Sequence, residues 1–291
     1  MPKTAARPKT PPTLQEQLPE LRPGQSVELL KELHILTREG KLNQDTRRKL
    51  KQVYHLVQFI EPLLQEVLDA RGDVSLADHG AGKSYLGFIL YDLFFKSISV
   101  GTVIGVEARA ELVERSRALA QRLGFERMRF LATTVQQALT HPELPPTIDV
   151  VTALHACDTA TDDAIAFGLA KQARFMVLVP CCQAEVASVM RRHKAINLSR
   201  NPLAELWRHP LHTREFGSQI TNVLRCLQLE AHGYEVTVTE LVGWEHSMKN
   251  ELILARRHEP PRPGTTARAR ERLAQILDEL GLQELTSRFT V

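Results

Sequence analysis

The chain is short of cysteine, of aromatic residues and of long apolar runs, and each shortage excludes something. Four cysteines in 291 residues are too few for a disulfide scaffold. Cys181 and Cys182 are adjacent and would form a strained bridge, so reduced thiols are expected. Aromatic residues make up 5% of the chain, and none of its basic clusters is interleaved with them, which removes the stacking platform of a single-strand-binding surface. The longest apolar run, Tyr85 to Phe95, is interrupted by Asp92 and is too short to span a bilayer. The first residues, Met1-Pro2-Lys3-Thr4-Ala5-Ala6-Arg7-Pro8, are basic but contain no apolar core of a secretory signal. A cytoplasmic protein without a membrane partner is expected. A net charge of +3 and a pI near 8.7 fall short of the excess that would by itself establish a nucleic-acid partner.

What is present begins with 43% hydrophobic residues, enough for one substantial α/β domain with appendages. The most telling stretch is Leu76-Ala77-Asp78-His79-Gly80-Ala81-Gly82-Lys83-Ser84. It reads as an apolar strand running into glycines that let backbone N–H groups approach a ligand, followed by the start of a helix. The next apolar stretch, Thr102-Val103-Ile104-Gly105-Val106-Glu107, ends in a carboxylate suited to ribose hydroxyls. A Walker A loop requires G-x-x-x-x-G-K-[ST], and Ala77 stands where its first glycine belongs. A dinucleotide loop requires G-x-G-x-x-G, and Tyr85 stands at its third glycine. An acidic residue followed by G-x-G, as in Asp78-His79-Gly80-Ala81-Gly82, resembles the first motif of class I S-adenosylmethionine-dependent methyltransferases. That resemblance implies S-adenosylmethionine as cofactor, with Asp78, Gly80, Ala81 and Gly82 in its cradle and Glu107 on its ribose. The charge agrees, because a carboxylate at the cradle repels a polyphosphate and attracts a cationic methionine end.

The rest of the chain arranges itself around this stretch. Residues 1–25 carry repeated prolines and read as a flexible leader. Residues 26–70 show helical spacing (Leu29, Leu30, Leu33; Val53, Val57, Ile60, Leu64, Val67), which predicts a cap of two or three helices broken near Gly40. Within it, Arg47-Arg48-Lys49-Leu50-Lys51 is a solvated helical face or an RNA phosphate contact. Residues 71–258 alternate short apolar runs with amphipathic segments, the pattern of a doubly wound α/β fold with a mostly parallel sheet. Parallel strands are expected near 74–79, 102–107, 127–132, 148–154 and 174–180. A helix is expected over 214–232, with Ile220, Val223, Leu224 and Leu227 on one face. An antiparallel pair, 235–242 and 250–256, brings the count to seven, as in a Rossmann-like methyltransferase. Residues 259–291 hold a proline-rich linker and an amphipathic helix over 266–280, which docks on its own domain or on a partner.

Two further stretches carry chemistry. The fourth strand runs into Leu154-His155-Ala156-Cys157-Asp158-Thr159-Ala160-Thr161-Asp162, and the fifth into Pro180-Cys181-Cys182. The carboxyl ends of strands one, four and five line the ligand crevice of such a sheet. These runs resemble the L-H-x-C-G-x-A-T-D and C-C signatures of a methyltransferase family that includes the ribosomal-RNA-adenine-dimethylase-domain-containing proteins, and they are similar to elements of eukaryotic tRNA 2′-O-methyltransferases. Asp158 stands where that family has glycine. Lys49-Leu50-Lys51-Gln52-Val53 and Glu245-His246-Ser247-Met248-Lys249-Asn250 also resemble family elements, so the likeness covers roughly residues 45–256. It implies an RNA acceptor, a catalytic set of His155, Cys157, Asp158, Cys181 and Cys182, and cofactor contacts from Leu154, His155, Thr133, Thr134 and Val135.

Several chemistries remain open on these residues. His155 could take a proton from a hydroxyl or amine acceptor, since imidazole titrates near neutrality, or it could be a structural residue shaping the pocket. A cysteine could attack a pyrimidine ring before methylation at carbon, although the proline–cysteine motif such enzymes carry after strand four is missing. His155, Cys157, Cys181 and Cys182 are zinc-ligand types at an uncommon spacing, and no metal is assigned. Cysteines at strand ends also serve as small packing residues, and Cys226, on the amphipathic helix expected over 214–232, takes the same reading. No Asn/Asp-Pro-Pro-aromatic motif follows strand four, so the acceptor atom is open between oxygen, nitrogen and carbon. The alternatives are a protein or small-molecule acceptor, a non-catalytic cofactor-binding scaffold, and a nucleotide hydrolase acting through Gly82-Lys83-Ser84.

Overall fold

A computed structural model describes residues 18–82, 84–154, 158–180, 183–192, 205–206, 208–241, 251–260 and 263–290, apart from the side chains of Val135, Gln136 and Pro263. The first helix, α1 (Val27–Glu32), is capped by Ser26, whose hydroxyl accepts from the Leu29 N–H. Helix α2 (Gln44–Arg71) opens on a reciprocal cap: the Asn43 side chain accepts from Thr46 N–H at 2.9 Å, and the Thr46 hydroxyl accepts from Asn43 N–H at 2.9 Å. It stops at Gly72, whose φ of 72° requires a residue without a Cβ. Buried Leu50, Val53, Val57, Ile60, Leu64 and Val67 fall three or four apart along α2 and face the sheet. The interruption expected near Gly40 is the turn region between these two helices. Packing begins ahead of residue 26, since Leu18 and Leu21 are already buried.

The sheet has seven strands: β1 (Ser75–His79), β2 (Thr102–Glu107), β3 (Met128–Ala132), β4 (Val150–Leu154), β5 (Phe175–Val179), β6 (Tyr234–Glu240) and β7 (Glu251–Arg257). Their order is β3-β2-β1-β4-β5-β7-β6, parallel except for β7, which runs antiparallel between β5 and β6. The observed strands sit within two residues of those expected at each shared start. The crossovers carry α3 (Tyr85–Leu93), α4 (Ala110–Leu123), α5 (Val135–Leu139) and α6 (Ala160–Ala170). Helices α7 (Glu185–Arg192) and α8 (Pro210–Ala231) follow β5, and α9 (Pro263–Glu279) closes the chain.

Strand alternation feeds two cores. Phe175, Val177 and Val179 join α2 and α3 on one face, while Met176 and Leu178 join Ile165, Phe167 and Leu229 on the other. A third cluster packs Leu273, Leu277 and Phe289 from the C-terminal segment onto Val186, Met190, Leu224 and Leu227. The last helix therefore docks on its own domain. Of the expected face of α8, Leu224 and Leu227 are buried and Ile220 packs against this third cluster, while Val223 is 42% exposed. The helix also buries Thr221, Asn222, Arg225 and Gln228, an adjoining face that carries the polar network described below. Among the described residues, no helix is long and apolar enough to cross a membrane.

Candidate functional site

The loop after β1 is held by its own backbone. Ala81 N–H donates to the Val106 carbonyl of β2 at 3.1 Å, and Ser84 N–H donates to the Ala81 carbonyl at 2.6 Å. Gly80 and Gly82 adopt φ values of 62° and 56°, the left-handed region that a Cβ disfavours. The Gly82 N–H donates to Glu107 Oε2 at 2.7 Å. The acid at the end of β2 and the glycine loop after β1, separated in sequence, thus meet directly.

Glu107 is 8% exposed. Its Oε1 accepts from Arg109 N–H at 3.1 Å and Arg109 Nε at 2.8 Å, and its Oε2 also accepts from Arg109 Nη2 at 3.2 Å. Burial alone would raise its pKa, but the bonds from Arg109 and Gly82 outweigh it and hold the carboxyl below the usual carboxylate range. An ionised carboxylate beside glycine N–H groups fits the ribose and methionine ends of S-adenosylmethionine.

Asp78 sits differently. It is 2% exposed and its Oδ1 accepts from the Thr152 hydroxyl of β4 at 2.9 Å. Burial pushes its carboxyl up to about 6, with bonds from the Thr152 hydroxyl and the Gly87 N–H opposing the rise. A Cβ on Gly87 would lie 3.5 Å from Asp78 Oδ2 and 2.7 Å from the Ser84 hydroxyl, so α3 packs directly over this carboxyl. The side chain tethers β1 to β4 and to the first turn of α3. His79, on the opposite face of β1, stacks edge-on against Phe167 at 5.0 Å. Burial lowers its pKa to about 4, so the ring is neutral at pH 7. Ser84 is fully buried, which leaves a Walker-type hydroxyl no access to a metal–phosphate ligand; Lys83 lies outside the described residues.

Of the cofactor contacts expected after β3, Thr133 is buried with its N–H on the Glu107 carbonyl at 3.1 Å. Thr134 caps α5, and the Val135 side chain lies outside the described residues. Leu154 is the half-buried last residue of β4, paired with Val179 of β5. His155, Cys157, Cys181 and Cys182 also lie outside the described residues. Among those described, no group of three metal-ligating side chains occurs.

Asp158 explains its own departure from glycine. Its φ of 51° lies in the left-handed region, which Asp tolerates better than most residues. Its Oδ1 accepts from the backbone N–H groups of Ala184 and Glu185 at 3.0 and 3.3 Å, where α7 begins. One segment that the sequence reading missed is built around Arg225. This arginine is 1% exposed and forks onto Asp162, with Nε–Oδ1 at 2.7 Å and Nη2–Oδ2 at 2.9 Å. It also donates to the Asp158 carbonyl at 2.8 Å and to Asn222 Oδ1 at 3.1 Å. Asn222 Oδ1 accepts from Gln183 Nε2 at 3.0 Å, and Gln183 Oε1 accepts from the Ser218 hydroxyl at 2.6 Å. The network ties the chain after β4 to the chain after β5. Its sequence signal was a charged residue inside the apolar stripe of α8.

A sheet ordered 3-2-1-4-5-7-6 with a glycine loop after β1 and an ionised acid closing β2 defines a class I S-adenosylmethionine-dependent methyltransferase. Residues 48–189 match the model of a methyltransferase-domain family, so the chain is such an enzyme and S-adenosylmethionine is its cofactor. No curated protein matches the sequence. Solved structures similar to it include S-adenosylhomocysteine-bound PaMTH1 of Podospora anserina (11% identity over 80% of this chain and 87% of that one, TM-score 0.44). Another is the magnesium protoporphyrin IX methyltransferase of Synechocystis (13%, 79% and 93%, 0.44). A third is an rRNA methylase of Streptococcus thermophilus (9%, 69% and 95%, 0.43). At these TM-scores the fold assignment rests on strand order.

Proposed function

We propose that this methyltransferase modifies RNA. One observation carries the reading: the L-H-x-C-D-x-A-T-D run, which resembles a signature of RNA-directed families, leaves β4 at the carboxyl edge of the sheet and ends in Asp162, the partner of buried Arg225. Exposed Lys49 and Lys51 on α2 and Arg191 on α7 add cationic surface that could track phosphates. S-adenosylmethionine supplies an electrophilic methyl group. Glu107 orients the ribose, Gly80 and Gly82 admit the ligand to the backbone, and Asp78 acts through the loop it anchors. His155 takes the proton from the acceptor. Asp158 acts as a positioning residue, because its carboxylate supports the start of α7.

Calorimetric titration with S-adenosylhomocysteine tests the cofactor half. Glu107→Ala should weaken binding by about 10–100-fold, the loss of charge-assisted hydrogen bonds, and Asp78→Ala should weaken it through loop disorder. Transfer of labelled methyl to fractionated RNA, protein and small molecules tests the acceptor half. Label removed by ribonuclease supports the reading. Label that follows protein or small molecules overturns the RNA assignment and leaves the cofactor site standing.

A further inference from the structure

Glu107 receives more donors than a ribose-binding carboxylate can keep. A carboxylate offers about four acceptor positions, and here four donors fill them: Gly82 N–H, Arg109 N–H, Arg109 Nε and Arg109 Nη2. A ribose diol needs two of those positions. The two backbone donors are fixed, one by the glycine loop and the other by its place at the start of α4. The two guanidinium donors belong to a side chain that is 61% exposed and free to rotate away. Glu111, in the first turn of α4, is a second carboxylate whose charge acts on Arg109.

We propose that Arg109 is a latch on the ribose site, competing with the ribose hydroxyls for Glu107 and so setting cofactor affinity. The inference rests on S-adenosylmethionine binding at Glu107. When the guanidinium leaves, the backbone N–H groups of Gly82 and Arg109 keep the carboxylate aimed, so no refolding is required. The contact is between a solvent-facing cation and a carboxylate, so dissolved salt weakens the latch. S-adenosylhomocysteine carries one ammonium and one carboxylate, whose charges cancel, so its own encounter with the protein responds little to salt.

The experiment is titration of the full chain with S-adenosylhomocysteine at low and high potassium chloride, about 0.02 and 0.5 M, which moves the screening length from roughly 20 to 4 Å. The unaltered protein should bind about two- to fivefold more tightly at high salt, the range of an exposed ion pair. Arg109→Ala should bind at low salt as tightly as the unaltered protein does at high salt, and should lose the salt response. Arg109→Lys, which keeps the charge but not the fork, should retain part of it. Weaker binding by Arg109→Ala at both salt levels would mean that the guanidinium holds the cofactor itself, and it would overturn the latch. A flat response in the unaltered protein would overturn it as well. Absence of any binding by the unaltered chain would instead overturn the cofactor reading on which the latch stands.

Discussion

Asp78 and His79 are neighbours on β1 with opposite demands on pH. The Asp78 pKa is raised from 3.8 to about 6, so its contribution to stability is full below about pH 4 and is lost as pH rises through about 6. The His79 pKa is lowered from 6.5 to about 4, so its contribution is full above pH 6.5 and is lost as pH falls through about 4. Asp78→Asn should therefore gain on the unaltered protein as pH rises from about 4 to 7, by on the order of 2–3 kcal/mol, read by urea unfolding at each pH. Equal pH dependence in the two proteins would show that Asp78 is not a buried acid. Asp158 offers a second check. Asp158→Ala loses the bonds to Ala184 and Glu185 and keeps the strained backbone, an expected loss of about 1–2 kcal/mol, whereas Asp158→Gly relieves the strain and should cost less. Asp78, Glu107 and the glycines were legible because a strand, a glycine pair and a strand-ending acid have fixed spacings. Arg109 was not, since its meaning lies in a side chain folding back over two residues, which leaves no periodic trace.

Helix α8 shows how an element and its apolar face can be found while a second buried face goes unread. Ile220, Leu224 and Leu227 pack as their spacing suggests, and the helix also buries Thr221 and Arg225. A charged residue is admitted there because Asp162, Asn222 and the Asp158 carbonyl satisfy its donors. Hydropathy cannot register such pairing, because Asp162 and Asp158 lie more than 60 residues away. Removing one side of a buried ion pair strands the other. Arg225→Met should cost about 3–5 kcal/mol in chemical denaturation, and pairing it with Asp162→Leu should recover most of that loss. A double variant no more stable than the single one would mean that the network does more than balance charge. Gly217 belongs to the same contact. A Cβ placed there would lie 2.6 Å from the Ala187 Cβ and 2.7 Å from its backbone, so Gly217→Ala should force α7 away from α8 at a cost of about 1–3 kcal/mol.

For the whole molecule, the strand count and the parallel crossovers could be read from alternation, and the hairpin from its two adjacent runs. Which of the last two strands touches β5 follows from their patterns: β7 carries Leu252, Ile253 and Ala255, all buried, as an inner strand does, while β6 alternates with exposed polar residues as an edge strand does. The C-terminal segment is structural at this scale. Ending the chain after residue 260 uncovers Val186, Met190, Leu224 and Leu227. The shortened protein should bind a hydrophobic dye and sediment as aggregates, while a cleanly monomeric product would show that α9 is dispensable. The insertion of β7 between β5 and β6 also has a consequence in time. During synthesis β5 is complete at Val179, but its antiparallel neighbour ends only at Arg257. At about 5–20 residues per second the apolar β5 edge waits roughly 4–15 s for its proper partner. From the completion of β6 at Glu240 until β7 is made, β6 is the nearest strand able to pair with β5 wrongly, so a ribosome that pauses between residues 240 and 251 is the point in this protein's life at which misfolding is most exposed.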